Sequence, residues 1–269
     1  MLKSEGDRLT KVVVCTPKTE YFNISNLNEH NITQIAYKDK TIQQHNKLKS
    51  ILEESGCEII DVPELPNHPN SVFTRDTSLC TPKGYIKLKM GLNSRRGEEV
   101  WMAEILDSMG ETNAGSIESL GTVEGGDVIL AGSVAFVGHS QRTNNNGVEQ
   151  ISNLLESMKY EVRSITVPSP YLHLGGAMSL VGTDLILSCR GVFSDDFFKG
   201  FKRIEISSET FVSGNVINLG NKEVIADSKN VEVIKELKRA KIKVHTIDLS
   251  EFIKGQGGPS CLIMPVERK

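Results

Sequence analysis

Apolar residues recur at helical spacing in four places along the 269-residue chain. Met102, Ile105, Leu106 and Met109 fall at i, i+3, i+4 and i+7 before Gly110, and Val148, Ile151, Leu154, Leu155 and Met158 do the same after Asn144-Asn145-Asn146. Leu48, Ile51 and Leu52 form a stripe that stops at Gly56, and Val231, Ile234 and Leu237 form another after Asp227-Ser228. Between the stripes lie short β-type runs paired across glycine-containing turns: Val128 to Leu130 with Val134 to Val137, Ser179 to Val181 with Leu185 to Leu187, and Val216 to Leu219 with Glu223 to Ala226. Each hairpin is followed by a helix and then another strand.

The predicted order is therefore strand, strand, helix, strand, repeated. Units start near Asp76, Glu124, His173 and Asn215, so equivalent points recur about every fifty residues. A fifth unit starts at Cys261 and needs the N-terminal strand Val12-Val13-Val14-Cys15, the helix around Leu48 and the strand at Ile59-Ile60 to complete it. The fold class is α/β, with five ββαβ modules in a ring closed by both termini, and a single domain spans 1–269. A closed ring has no end to cap, and equivalent module starts converge on its axis. The helix of the third unit, around Phe193 to Phe201, is short and interrupted by Gly200. Residues 18 to 40 lack periodicity and are expected to form a long loop acting as a lid.

Composition narrows the function. The chain is 38% hydrophobic and 24% charged, with a formal net charge of -3 and no basic run, which argues against a nucleic-acid partner. The first residues form no apolar leader, and no apolar run approaches the ~20 residues of a membrane span. The expectation is a cytoplasmic protein with a small-molecule ligand, and a homo-oligomer is left open. Five widely spaced cysteines do not form a disulfide framework, and the six histidines have no metal-ligand spacing, so neither metal nor cofactor is expected.

The candidate chemistry gathers at the module starts. Cys261, in Gly257-Gly258-Pro259-Ser260-Cys261, stands between a glycine turn and an apolar strand, where a thiolate can act as a nucleophile. His173 stands between Pro168-Ser169-Pro170 and Gly175-Gly176, at a unit boundary, and an imidazole there can both donate and accept a proton. Asp76 and Glu124 are the carboxylates that can hold a planar cation such as guanidinium. The plainer reading of Asp76 is an ion pair with Arg75, and Asp127 is expected to bind local backbone. Arg142 and Arg95 follow apolar strands and can clamp a substrate carboxylate; Arg96 is the weaker candidate.

These segments together resemble the guanidine-modifying enzymes, which include dimethylarginine dimethylaminohydrolase, arginine deiminase and the amidinotransferases. The resemblance rests on Phe73 to Asp76, Ser94-Arg95-Arg96, Glu124 to Asp127, Phe136-Val137-Gly138 with Arg142-Thr143-Asn144, His173, Asp248 to Phe252, and Gly257 to Leu262. It implies a five-bladed α/β propeller. It also implies Cys261 as nucleophile, His173 as general acid and base, and Glu124 as the acid that orients His173 or binds guanidinium. Asp76 would bind guanidinium, Arg95 and Arg142 the substrate carboxylate, and Asn70 with the Gly255 carbonyl the α-amino group. Gly175 stands where the deiminases and amidinotransferases have an aspartate, which favours the dimethylarginine hydrolases and a methylated arginine as substrate. Arg75 and Asn70 stand where those hydrolases have acids. The same propeller also resembles the ribosome anti-association factor, a binding protein without catalysis.

Overall fold

The computed structural model describes residues 2–269. In chain order the elements are β1 (Leu9–Cys15), α1 (Lys38–Glu54), β2 (Glu58–Val62), β3 (Ser78–Thr81), β4 (Gly84–Lys87), α2 (Glu98–Ser108) and β5 (Asn113–Ser116). They continue with β6 (Val128–Ala131), β7 (Val134–His139), α3 (Asn145–Ser157), β8 (Glu161–Thr166), α4 (Leu174–Ala177), β9 (Met178–Leu180), β10 (Leu185–Cys189) and β11 (Lys202–Ile206). The chain ends with β12 (Ile217–Gly220), β13 (Glu223–Asp227), α5 (Val231–Arg239), β14 (Lys243–Ile247), α6 (Ser250–Ile253) and β15 (Met264–Arg268).

The strands form five three-stranded sheets, ordered β15-β1-β2, β3-β4-β5, β6-β7-β8, β9-β10-β11 and β12-β13-β14. In every sheet the first strand pairs antiparallel with the second, as a tight hairpin allows. The second pairs parallel with the third, which requires the crossover that the helices supply. The result is a five-bladed α/β propeller whose fifth blade joins the two ends of the chain. Burial falls from the first strand of a blade to the third. β3, β6, β9 and β12 are buried throughout, whereas β5 and β8 are exposed or half-buried along their length. That gradient identifies the first strands as the ones around the axis.

Helices cover the blades with the expected stripes. Met102 and Leu106 of α2 and Ile151 and Leu155 of α3 are fully buried or nearly so, and burying an aliphatic side chain of this kind contributes about 1.5–3 kcal/mol. The Asn144 side chain caps α3 by accepting from Gly147 N at 2.8 Å. Two expectations are corrected. Val231 is exposed, and Val233 with Leu237 carries the inner face of α5, because the first helical residue has no earlier turn to cover it. The third blade has only a short 3-10 turn, Asp195–Phe198, where its helix should be. Phe197 and Phe198 pack there against Phe136, and Phe193 against both of them, so tilted and edge-on ring contacts fill the volume a helix would.

Residues 18 to 37 are long and largely irregular, as expected, with 3-10 turns at Glu20–Phe22 and Asn28–His30. From Lys38 onward the chain is already α1. Thr33 N donates to Lys254 O at 2.8 Å, and Gln256 Nε2 donates to Asn31 Oδ1 at 3.3 Å, which ties this segment to the loop that leads to Cys261. No helix among the described residues is long and apolar enough to cross a membrane.

Candidate active site

Each blade begins at the axis, and the residue just before its first strand carries the chemistry. Asp76 precedes β3, Glu124 precedes β6, His173 precedes α4 and β9, Asn215 precedes β12 and Cys261 precedes β15. Five sequence-distant positions thereby meet. Asn70, Asp76, Arg95, Arg142, His173, Gly255 and Cys261 line one cavity of about 310 Å³, with Asn31, Phe73, Leu172, Gln256 and Gly257 completing its wall. Glu124, Asp127 and Arg96 do not line this front cavity; Glu124 is fully buried against His173.

His173 Nε2 lies 2.8 Å from Glu124 Oε2. Glu124 also accepts from Gly91 N at 3.0 Å, Leu92 N at 3.3 Å and Arg142 Nη1 at 3.3 Å. Four donors make Glu124 a carboxylate, so Nε2 must carry the proton it shares and Nδ1 is the nitrogen left for chemistry. Nδ1 lies 4.0 Å from Asp76 Oδ1. Gly126 is needed here, since a Cβ on it would meet His173 Nδ1 at 2.8 Å and Asp76 Oδ1 at 3.0 Å. Of the two roles expected of Glu124, the geometry favours orienting His173.

Asp76 does not pair with its neighbour. Arg75 turns away, donating to Glu5 Oε1 at 2.5 Å, Val128 O at 2.9 Å and Gly125 O at 3.3 Å. Asp76 accepts instead from Arg95 Nη1 at 2.7 Å and Gly126 N at 3.1 Å. For Arg95 the structure differs from the expected carboxylate clamp. Its guanidinium is engaged on all three nitrogens, by Asp76, by Glu98 at 2.7 and 2.9 Å, and by Phe73 O at 2.9 Å. Arg142 has only its contact with Glu124 among these acids, and its other N–H groups are without a protein partner. Arg96 is exposed.

Asp127 binds across the ring and not locally, as was expected of it. It accepts from Leu174 N at 2.9 Å, Ser140 Oγ at 2.6 Å and Thr143 Oγ1 at 2.7 Å, and so pins the residue after His173. Asn70 Nδ2 donates to His30 O at 3.1 Å, but its Oδ1 is buried without a partner. A buried acceptor left unpaired costs about 1–3 kcal/mol, which a ligand ammonium would recover. Sequence reasoning missed Glu98, Asn31 and Gln256. Gln256 has φ +61, rare for a side-chain-bearing residue, and no local pattern announces it.

Burial, and next the Asp76 carboxylate, push the Cys261 thiol up to about 12. Burial disfavours the imidazolium of His173, yet Asp76, Asp127 and Glu124 outweigh it and push that group up to about 9. Burial would also raise Glu124, but His173 and the guanidiniums of Arg142 and Arg95 hold it well below the usual carboxylate range. At neutral pH the site thus holds a thiol, an imidazolium and a carboxylate. A cation arriving beside Asp76 lowers both the thiol and the imidazole, which is the electrostatics a nucleophile and a proton shuttle need. The ligating atoms of Asp76, Glu124 and His173 also lie within 4.8 Å of one another. A divalent ion fits poorly there, because Arg95 and Arg142 already neutralise these acids.

The fold and this constellation define a class, the α/β-propeller hydrolases that act on guanidino C–N bonds through a cysteine. A family model described as "N,N dimethylarginine dimethylhydrolase, eukaryotic" matches residues 15–268, and the chain belongs to that family. It is 30% identical over 223 residues to the N(G),N(G)-dimethylarginine dimethylaminohydrolase of Pseudomonas aeruginosa, covering 83% of this chain and 87% of that one. A Cys-to-Ser variant of a Pseudomonas aeruginosa dimethylarginine dimethylaminohydrolase, solved with citrulline, superposes with a TM-score of 0.84 at 27% identity, covering 96% of this chain and 99% of that one. An arginine deiminase of Listeria innocua is 26% identical, over 74% of this chain and 62% of its own length.

Proposed function

We propose that this chain hydrolyses an Nω-methylated arginine to citrulline and the corresponding methylamine. The observation that carries this reading is the front cavity itself, in which Cys261 and His173 stand beside Asp76 while Arg142 lines the wall and Asn70 Oδ1 is buried without a partner. Asp76 holds the guanidinium. Arg142 takes the α-carboxylate, and Asn70 Oδ1 with the Gly255 carbonyl takes the α-ammonium. Arg95 braces Asp76 through the same charge-assisted bonds that occupy it in the empty site.

As the cationic substrate binds, Cys261 loses its proton to solvent. The thiolate attacks the guanidinium carbon and forms a C–S bond. His173 Nδ1 gives its proton to the methylated nitrogen, and the C–N bond breaks with its electron pair leaving on the amine. A covalent thiouronium remains. Water then gives a proton to His173 Nδ1 and attacks the same carbon, and as the C–S bond breaks to return the thiolate the remaining hydroxyl proton passes to solvent, releasing the neutral ureido product. Glu124 keeps the imidazole in the tautomer that leaves Nδ1 free for both transfers.

The test is ureido product formation from arginine, Nω-methylarginine, Nω,Nω-dimethylarginine and agmatine, together with mass analysis of protein quenched during turnover. A covalent adduct at Cys261 and citrulline from the methylated arginines are expected. Preferential release of urea or of an amidino-transfer product would overturn the reading.

A further inference from the structure

Behind the nucleophile lies a second chamber. Cys261, His173, Leu172 and Gln256 line both it and the front cavity, but the rest of its wall is different. Gly126, Gly175, Gly176, Asn215 and Ser260 form its near side, and Glu5 with Arg75 its floor, enclosing about 480 Å³ of space partly open to solvent. Phe211 and Val212, both half-buried, separate it from an open surface cleft that they also line. None of the groups assigned to the amino-acid end or to the guanidinium of the substrate, namely Asn70, Arg142, Gly255 and Asp76, reaches this chamber.

The position of His173 gives the chamber a function. The nitrogen Nδ1 lies between Gly126, which lines the rear chamber, and Asp76 Oδ1, 4.0 Å away, which lines the front cavity. A substrate anchored at its amino-acid end in front therefore presents its far nitrogen between Cys261 and His173, where the two spaces meet. We propose that the rear chamber receives the leaving amine and later the hydrolytic water, and that Phe211 and Val212 gate it and set how large an alkyl group on the departing nitrogen the enzyme accepts. This rests on the hydrolase reading above. The glycines let backbone and the His173 ring pack closely along the chamber wall, while the Ser260 hydroxyl, which accepts from Asn215 Nδ2 at 2.7 Å, keeps its own proton to offer an ordered water. Reversal follows from the same geometry. An amine entering from the rear attacks the thiouronium carbon in place of water, its proton passes to His173, and the C–S bond breaks to regenerate a methylated arginine.

The experiment measures kcat/KM for arginine, Nω-methylarginine, Nω,Nω-dimethylarginine and Nω-propylarginine, and the incorporation of labelled methylamine into Nω-methylarginine during turnover. Val212→Trp is expected to lower the dimethyl-to-unsubstituted ratio and the label exchange at least tenfold, with KM for the shared amino-acid end changed less than threefold. Phe211→Ala, which opens the gate and guards against a misfolded tryptophan variant, is expected to raise the propyl-to-methyl ratio at least threefold. Equal losses on all substrates in the first variant, with no change of ratio in the second, overturn the proposal and leave the hydrolase reading standing. A wild-type protein that forms no ureido product from any guanidine overturns both.

Discussion

Two buried charge clusters sit on the propeller axis, one on each side of Cys261, and they are completed differently. In front, Asp76, Glu98 and Glu124 face Arg95, Arg142 and the His173 imidazolium, and burial pushes the Glu98 carboxyl up to about 7, so the cluster carries no excess of negative charge. Two acceptors there, Asn70 Oδ1 and Glu98 Oε1, have no partner at all. Behind, Arg75 pairs with Glu5, and Arg268 donates to the carbonyls of Asp7 and Asn218 at 2.8 Å. The rear cluster is cationic and closed by the chain's own carbonyls, with only Arg268 Nε unpartnered. The front cluster keeps unpaired acceptors, and under the function proposed above a guanidinium with an α-ammonium would take up the one on Asn70. Buried charge at the rear holds the N-terminal segment across the ring.

The strongest way to break this contrast is to remove the reacting groups of the front cluster. Cys261→Ser is expected to abolish turnover with the melting temperature little changed, since a hydroxyl replaces a thiol of nearly the same size and shape. His173→Ala should lower kcat about 10²–10⁴-fold, the usual worth of a positioned acid and base. A Cys261→Ser protein that retains near-normal rate refutes the nucleophile. Glu124→Gln is next. It keeps the shape but removes the charge that favours the imidazolium, so kcat should fall about 10²-fold. His173 titrates near 9 in the fold against 6.5 ordinarily. Its stabilising contribution is therefore fully present below about pH 6.5 and is lost as pH rises through about 9. The wild-type melting temperature should fall across that window, and a Glu124→Gln protein with the same fall would show that the pair does not set the titration.

Much of this was legible in the sequence, for a physical reason. Strand and helix periods are local, so the ββαβ repeat and the fifth blade built from both termini follow from spacing alone. The repeat then puts Asp76, Glu124, His173 and Cys261 at equivalent module starts, which is why they could be assembled without coordinates. What stayed hidden depends on side chains meeting across the ring. Arg75 pairs with Glu5 seventy residues away, not with adjacent Asp76. Arg95 reaches Asp76 nineteen residues back as well as Glu98 at the start of α2, and Asp127 reaches Leu174 in the next blade. The third-blade helix failed because an aromatic cluster replaced it, and aromatic packing has no sequence period.

The two arginines of the front cluster sharpen the contrast further. Arg142→Ala should raise KM for arginine-type substrates about 10–100-fold and leave agmatine, which has no carboxylate, nearly unaffected. Arg95→Ala should lower kcat on both and destabilise the fold by about 3–5 kcal/mol, since it leaves Asp76 and Glu98 buried and uncompensated. If both variants behave alike, the two arginines form one clamp after all. The rear cluster should respond weakly in catalysis. Glu5→Gln is expected to cost about 1–3 kcal/mol of stability and to change kcat/KM less than about threefold. It frees the charge of Arg75, which lowers the Cys261 thiol, so iodoacetamide labelling at pH 8 should quicken by about twofold or more. Slower labelling would place Arg75 outside the field felt by Cys261.

The smallest expected effect lies at Asn70, where the front cluster meets the amino-acid end of a substrate. Its Oδ1 is an orphan acceptor in the cavity wall, and its Nδ2 donates to the His30 carbonyl. Asn70→Asp puts a charge where an α-ammonium would sit, and charge-assisted bonds are roughly twice as strong as neutral ones. The same substitution sets a carboxylate oxygen against the His30 carbonyl and loses that hydrogen bond, which offsets part of the gain. The balance predicts a KM for methylated arginine lower by about two- to threefold, no improvement for a guanidino acid without an α-amino group, and a slightly lower melting temperature from the lost tie to the 28–33 segment. Comparing kcat/KM for the two substrate types decides it, because the His30 term is common to both and the ammonium term is not. An equal response in both would place Asn70 away from the ammonium, and its unpaired oxygen would then be an unsatisfied acceptor in the cavity wall with no part in recognition.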